Sequence, residues 1–325
     1  MRALITGITG QLGPYMAKYL LEKGFEVFGM MRRSSLGVES KLDNLKFVLP
    51  DEWEEIQILI GDLTDFGSIV NCLRESNPDF IFNYAAQSHV RESWKVPIST
   101  GDVTGLGVMR LLEAIRHFNP EIRLYHSSSS EMFGNSPAPQ SETTPFQPVS
   151  PYGISKLFAH WSIINYRNSY QLPVCAGIQF NAESPIRGKN FVTRKICSQA
   201  VEIYRGIRDK LELGNLEARR DWSFVPDCIE AHFKIISATE PKEYVIGSGE
   251  DHSVREFAEE VFNKLGLDFE EYYQLNEEFL RPVELNVLRA DISLIKKELG
   301  WKPKHKFKDL ISFMTDAELI RQGEK

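Results

Sequence analysis

A tyrosine and a lysine four positions apart, Tyr152 and Lys156, stand in the run Ser150-Pro151-Tyr152-Gly153-Ile154-Ser155-Lys156. Pro151 suits the first turn of a helix, where its missing N–H costs nothing. On a helix an i,i+4 pair shares one face, so this spacing sets an ammonium beside a phenol. A free tyrosine ionises near pH ~10, and a neighbouring cation favours the phenolate. The expectation is a phenol drawn toward neutrality and usable as a proton-transfer group. A hydroxyl-rich run, Ser127-Ser128-Ser129-Ser130-Glu131, lies a short distance upstream. Taken alone, the same spacing also describes an exposed lysine beside a half-buried tyrosine. The chain around the pair decides between the two.

The first element that must position a ligand is at the N-terminus. Arg2-Ala3-Leu4-Ile5-Thr6 reads as a buried strand, and apolar positions Tyr15, Met16, Tyr19, Leu20 and Leu21 recur at helical spacing as far as Lys23-Gly24. Phe25–Met31 is a second strand, which closes a βαβ unit of about 30 residues. Gly7, Gly10 and Gly13 sit between the first strand and the helix, where backbone amides and a helix N-terminus can cradle a pyrophosphate. The second strand ends in Arg32-Arg33-Ser34-Ser35, without the Asp or Glu that accepts from a ribose 2′-hydroxyl. Cations and hydroxyls suit a 2′-phosphate, so NADP is expected over NAD.

Further strands are expected at Ile56–Ile60, Phe80–Ala86 and Ile122–His126, the last delivering Ser127–Glu131 to the loop beyond it. A helix is expected around Gly107–His117, and a proline-rich linker, Pro137–Pro151, precedes the helix of Tyr152 and Lys156. Pro173–Phe180 is another buried strand, and helices return at Val254–Leu265, at Ile292–Leu299 and at the C-terminal end. Strands alternating with helices imply a parallel, doubly wound sheet with ligand sites at the strand C-terminal ends. The Gly7–Gly13 loop, Arg32, Asp62 and the serine run all fall at such ends. Beyond the sheet, Arg187, Lys189, Arg194, Lys195, Arg219, Arg220 and Arg281 occupy loop-rich segments that could clamp a diphosphate.

The chain has 325 residues, suggesting one large or two modest domains around a shared core. Its 45 acidic against 38 basic residues give a net charge of -7, which argues against a general nucleic-acid binder. Four scattered cysteines without a CxxC pair indicate neither a disulfide framework nor a zinc site, and no metal is expected. The chain enters a strand-like run at once and has no apolar run of ~18 residues, so neither a signal peptide, a membrane span nor a membrane partner is expected. The cytoplasm is the expected location.

Together these residues resemble the extended short-chain dehydrogenase/reductase family, and within it the GDP-mannose 4,6-dehydratase family. The likeness runs from Ala3 to about residue 318. It is carried by Leu4–Gln11, Arg32–Ser35, Ala85-Ala86-Gln87-Ser88, Ser150-Pro151-Tyr152, Glu183-Ser184-Pro185, Phe191–Lys195, Gly214-Asn215-Leu216, Arg220-Asp221-Trp222 and Arg281-Pro282-Val283-Glu284. The resemblance implies an α/β protein: a Rossmann-type doubly wound parallel sheet over residues 1–178, rejoined by short later segments, and a smaller C-terminal substrate-binding α/β domain over 179–325. It implies a GDP-sugar substrate, GDP-mannose first, converted to a 4-keto-6-deoxy product by transient reduction of NADP, in a homodimer or homotetramer. Ser129, Glu131, Tyr152 and Lys156 match the catalytic positions, with Ser129 standing where the family has threonine. The cofactor positions match Gly7, Thr9, Gly10, Gln11, Leu12, Gly13, Arg32, Ser35, Asp62 and Leu63. They continue through Tyr84, Ala85, Ala86, Gln87 and Ser88 to Tyr152, Lys156 and Arg187. The nucleotide-sugar positions match Ser88, Asn181, Val192, Lys195, Arg220, Arg281 and Glu284.

The chain departs from the family pattern at Leu12 and Pro14, where the family has Asp and a small residue. Ala182 replaces a histidine and Val149 an arginine. Ser223-Phe224-Val225-Pro226 and Cys228 follow Arg-Asp-Trp in place of the usual residues. A GDP-heptose is the alternative substrate. A 4-keto-sugar reductase or epimerase is the alternative enzyme, needing Tyr152 and Lys156 but not Glu131. An NADP-sensing subunit without catalysis is the alternative outside enzymes, and the intact Ser129, Glu131, Tyr152 and Lys156 set argues against it.

Overall fold

Ala3, Leu4 and Ile5, apolar on both faces, form with Arg2 and Thr6 the central strand β1 (Arg2–Thr6) of the computed structural model, which describes residues 1–34, 37, 39–280, 283–285 and 287–323. Helix α1 (Leu12–Leu21) returns the chain to β2 (Glu26–Met31), and β3 (Gln57–Ile60) follows. Helix α2 (Phe66–Ser76) leads to β4 (Phe80–Asn83), and α3 (Gly107–Phe118) to β5 (Arg123–Ser129). Helix α4 (Pro151–Tyr170) then precedes β6 (Val174–Gln179). Later come α5 (Val192–Tyr204), α6 (Val225–Ser237) and β7 (Glu243–Ile246), then α7 (Val254–Lys264), α8 (Ser293–Leu299) and α9 (Phe307–Gly323). The seven strands pair in the order β7-β6-β5-β4-β1-β2-β3, all parallel.

Strand alternation sends neighbouring side chains to opposite faces of the sheet. Ala3 and Ile5 join a core with Met16, Leu20, Ile229 and Trp301, whereas Leu4 joins another with Leu111, Ile115 and Ile163. Each fully buried Leu or Ile contributes roughly 1.5–3 kcal/mol. A third core holds α5, α7 and α9 together through Ile196, Cys197, Phe257, Phe262, Leu310 and Met314. Between the sheet and this second lobe lies one large cleft of about 950 Å³.

Two features fix the cleft edge. At the sheet's C-terminal rim, Thr6 Oγ1 donates to Asn83 Oδ1 at 2.6 Å and accepts from the Ala85 N–H at 3.1 Å, while Asn83 Nδ2 meets His126 Nδ1 at 3.1 Å. In the second lobe, the buried Asp221 carboxylate accepts from Ser248 N at 2.6 Å, Ser248 Oγ at 2.7 Å, Gly249 N at 2.9 Å and Ala290 N at 3.1 Å. That ring of donors anchors the segment carrying Arg220 without any helix.

The structure differs from the sequence expectation at the serine run. Ser127, Ser128 and Ser129 are the last three residues of β5, opposite Gly177, Ile178 and Gln179 of β6. Backbone pairing needs no apolar side chain, and the small hydroxyls bury cheaply once bonded, as Ser128 Oγ is to His160 Nδ1 at 2.9 Å. Among the described residues, no helix is long and apolar enough to cross a membrane, and no group of three or more His, Cys, Asp or Glu is placed to hold a metal ion.

Candidate active site

The glycine loop is shaped by contact with its neighbour strand. Gly7 has φ +70°, and a Cβ there would stand 2.9 Å from the Ala85 amide nitrogen, so only glycine lets the loop lie against the end of β4. Gly10 N–H donates to Gly7 O at 2.9 Å, and Asn44 Nδ2 holds the Thr9 carbonyl at 3.1 Å. Gln11 Nε2 reaches across the cleft to Ala182 O at 2.7 Å, tying the loop to the second lobe. Among the described residues no side chain caps the N-terminus of α1, so its first N–H groups face the cleft end of the loop as donors suited to an anion. Gly7, Thr9, Gly10, Gln11 and Leu12 line the cleft. Gly13 does not. A Cβ on it would meet Ile8 Cα at 2.6 Å, so Gly13 serves the packing of the helix against the turn.

The cleft fits a dinucleotide on these grounds. Arg32, Asp62, Leu63 and the Tyr84–Ser88 segment complete its wall on the sheet side. Ser35 lies outside the described residues, as does Arg281.

The hydroxyl and amine groups come from two elements. Ser150 caps α4 by accepting from Gly153 N at 3.0 Å, and Pro151 occupies the first turn. This start places Tyr152 and Lys156 on the buried face of α4, both against the end of β5. Lys156 Nζ donates to Ser127 O at 2.6 Å and lies 5.9 Å from the centre of the Tyr152 ring. Tyr152 shares a hydrogen bond with Ser129, whose Oγ also accepts from the Glu131 N–H at 3.3 Å. Ser129, Glu131, Tyr152 and Lys156 all line the cleft.

The electrostatics overturn one expectation. Burial pushes the Tyr152 phenol up to about 12; its bond with Ser129 and the Arg187 charge oppose the rise, and the Glu131 charge adds to it. Burial outweighs the nearby Lys156 ammonium, which is held by the Ser127 carbonyl and is itself lowered by burial from the usual 10.5 to about 8. Between pH 8 and 10.5 the unfolded chain keeps a proton that the folded chain has released, so this group's contribution to stability rises with pH. Lys156→Met is therefore expected to be more stable than wild type at pH 7, by on the order of 3 kcal/mol. The gap should close as pH climbs to 10.5. Denaturant unfolding of both proteins across that range checks it, and a gap independent of pH contradicts it.

The cations divide into two groups. Arg187, Lys189, Lys195 and Arg220 line the cleft. Arg187 is paired with Glu183 at 3.2 Å, and Arg220 Nη2 donates to Glu284 Oε1 at 2.7 Å while Nη1 holds Leu285 O at 2.8 Å. Arg194 and Arg219 do not line it: Arg194 binds Glu318 at 2.8 Å, and Arg219 binds Asp251 and Glu256 on the far side of its strand. Ser88, Asn181, Val192 and Glu284 stand on the cleft wall as expected. Sequence reasoning missed Phe279, whose ring lies 3.3 Å from Lys195 Nζ and 5.6 Å from the Arg91 guanidinium. Its position two residues before Arg281 was the available signal. It also missed His89, Arg91 and Gln179 on the wall, the first two continuing the Tyr84–Ser88 run.

The chain is similar to known proteins over nearly its whole length. A family model described as GDP-mannose 4,6 dehydratase matches residues 4–314. The chain is 45% identical over 323 residues to GDP-mannose 4,6 dehydratase 1 of Arabidopsis thaliana, covering 98% of this chain and 89% of that protein. It is 40% identical over 343 residues to GDP-mannose 4,6 dehydratase of Homo sapiens, covering 98% and 92%. Among solved structures, a UDP-glucose 4-epimerase of Thermus thermophilus, in complex with NAD, superposes with a TM-score of 0.84 at 25% identity over 100% of both chains.

Proposed function

This chain belongs to the GDP-mannose 4,6-dehydratase family, and from that membership we propose that its cleft takes GDP-mannose and removes water across carbons 5 and 6 to give the 4-keto-6-deoxy sugar. The observation that carries the reading is a carboxyl beside the phenol: Glu131 and Tyr152 share the cleft wall, close enough for the Glu131 charge to act on the phenol. Oxidation alone needs no such acid, whereas elimination does.

A nicotinamide cofactor, when bound, would supply the hydride acceptor for carbon 4 and the hydride for carbon 6. Tyr152 takes the proton of the carbon-4 hydroxyl as its phenolate, the form that burial disfavours and that the positive charge of an oxidised nicotinamide would favour. Ser129 holds the carbon-4 oxygen through its own hydroxyl. The ketone so formed acidifies the proton on carbon 5. Glu131 removes that proton and passes one to the hydroxyl leaving carbon 6, so water departs and the carboxylate is restored. Lys156, anchored on Ser127 O, fixes the helix turn that carries Tyr152. Arg220 and Glu284 brace one another at the opposite wall, where the nucleotide diphosphate is assigned.

NADP is the cofactor in this reading. Support comes from Arg32 on the cleft wall at the end of β2, followed by Arg33 and Ser34, where an acid would serve a free 2′-hydroxyl. Residues 1–178, with α6 and β7 returning to the sheet, are read as the cofactor half, and the remainder as the nucleotide-sugar half. The cytoplasm suits the four buried cysteines, all free thiols. A homodimer is assigned to the exposed apolar stripe of α4, where Ile154, Phe158 and Trp161 are 57%, 42% and 54% exposed at helical spacing. A sedimentation mass of a single chain contradicts it.

Incubation with GDP-mannose, a GDP-heptose, dTDP-glucose and UDP-N-acetylglucosamine in parallel tests the substrate. The expected result is a product lighter by one water from GDP-mannose and none from the dTDP or UDP sugars. Turnover of the heptose alone would move the substrate assignment, and no product from any of them would sink it.

A further inference from the structure

The loop that brings Arg187 into the cleft is tied from behind by charges that the proposed chemistry does not use. Glu318 on α9 has a carboxylate only 3% exposed, and its Oε1 accepts from Arg194 Nε at 2.8 Å and from Arg321 Nη1 at 2.6 Å. The same Arg194 guanidinium donates through Nη1 to the Arg187 carbonyl at 2.6 Å. A guanidinium is a rigid planar fork, so anchoring one edge on Glu318 aims the other at Arg187. The Arg187 side chain is held in turn by Glu183, whose Oε2 lies 3.2 Å from Arg187 Nε and takes the Thr193 hydroxyl at 2.7 Å. Its guanidinium rests 3.6 Å from the centre of the Phe191 ring. Glu318 and Arg321 lie beyond the residues 4–314 that the family model matches.

We propose that Glu318 is a positioning residue for the bound cofactor: through Arg194 it fixes the peptide carbonyl of Arg187, and so the place of the Arg187 guanidinium in the cleft. The C-terminal helix thereby acts on the cofactor site without touching it. A buried carboxylate is retained only when paired, and a buried ion pair by itself adds little stability. Holding the cleft loop in one geometry gives this pair a function. The proposal rests on the reading of the cleft as a nicotinamide-cofactor site.

The test is a double-mutant cycle read by fluorescence titration of NADPH, with NADH alongside, on the full chain. Glu318→Gln should weaken NADPH binding about tenfold, the factor equivalent to about 1.4 kcal/mol, near the value of one hydrogen bond to a charged group. Arg187→Ala should also weaken it, and adding Glu318→Gln to Arg187→Ala should weaken it no further, because the brace then has nothing to aim. An equal factor in both backgrounds overturns the proposal, as does unchanged binding by Glu318→Gln. Should Glu318→Gln not fold, Arg194→Lys is measured in the same cycle with the same expectation, since it keeps a charge opposite Glu318 and loses the fork. A wild-type chain that binds neither NADPH nor NADH fails the cofactor reading and takes the brace with it.

Discussion

Glu131→Gln should cut formation of the 4-keto-6-deoxy product about 10³-fold, the size expected for a lost general base, while oxidation at carbon 4 continues. The amide keeps the shape and a hydrogen-bonding oxygen but cannot accept the carbon-5 proton. Oxidation depends on Tyr152 and Ser129, which the change leaves in place. The expected signature in rapid mixing is therefore a reduced-nicotinamide absorbance that rises and persists, where in wild type it decays as the product forms. Loss of that absorbance together with the product would place Glu131 in the first step and contradict the division of labour. Unchanged turnover would remove Glu131 from the chemistry.

Tyr152→Phe should give the opposite signature at a similar size, a loss of about 10³-fold or more with no reduced-nicotinamide signal at any time. As its phenolate, Tyr152 is the group placed to take the carbon-4 hydroxyl proton, and Lys156 cannot replace it because its ammonium is committed to Ser127 O at 2.6 Å. The fold should survive, since the change removes one hydrogen bond, to Ser129, worth about 1 kcal/mol. Circular dichroism and the unfolding midpoint separate that small cost from the catalytic one. A Tyr152→Phe protein that accumulates the reduced signal, as Glu131→Gln is expected to, would show that another group performs the first proton transfer.

Features that depend on residue type were readable along the chain. Gly7 had to be glycine because its φ of +70° and its 2.9 Å approach to Ala85 exclude a side chain, and such a demand leaves a mark in the sequence. The Tyr152–Lys156 spacing and its Ser-Pro start forecast a capped helix, and α4 has that cap. Features that depend on distant partners were not readable. Arg194 looked like a cleft cation, yet its partner Glu318 lies 124 positions away on another helix. Arg219 is drawn off in the same manner by Asp251, 32 positions on. The phenol's environment was misjudged for a related reason: burial is a property of the packed site, and here it outweighs the nearby cation. Strand β5 ran further than its apolar pattern because serines bury well once Gly177, Ile178 and Gln179 supply the backbone partners. Gly13 shows that a motif position can be right while its duty is packing.

Elimination requires a carboxylate, Glu131, to strip carbon 5 of its proton in the same cleft where Tyr152 takes the proton of the carbon-4 hydroxyl. The measurement that reaches this directly is turnover of GDP-mannose in deuterated water, followed by nuclear magnetic resonance of the product. Wild type should yield a 4-keto-6-deoxy sugar carrying deuterium at carbon 5, because the proton removed by Glu131 is replaced from solvent. A product that keeps its original hydrogen at carbon 5, or one that keeps its hydroxyl at carbon 6, would contradict the elimination.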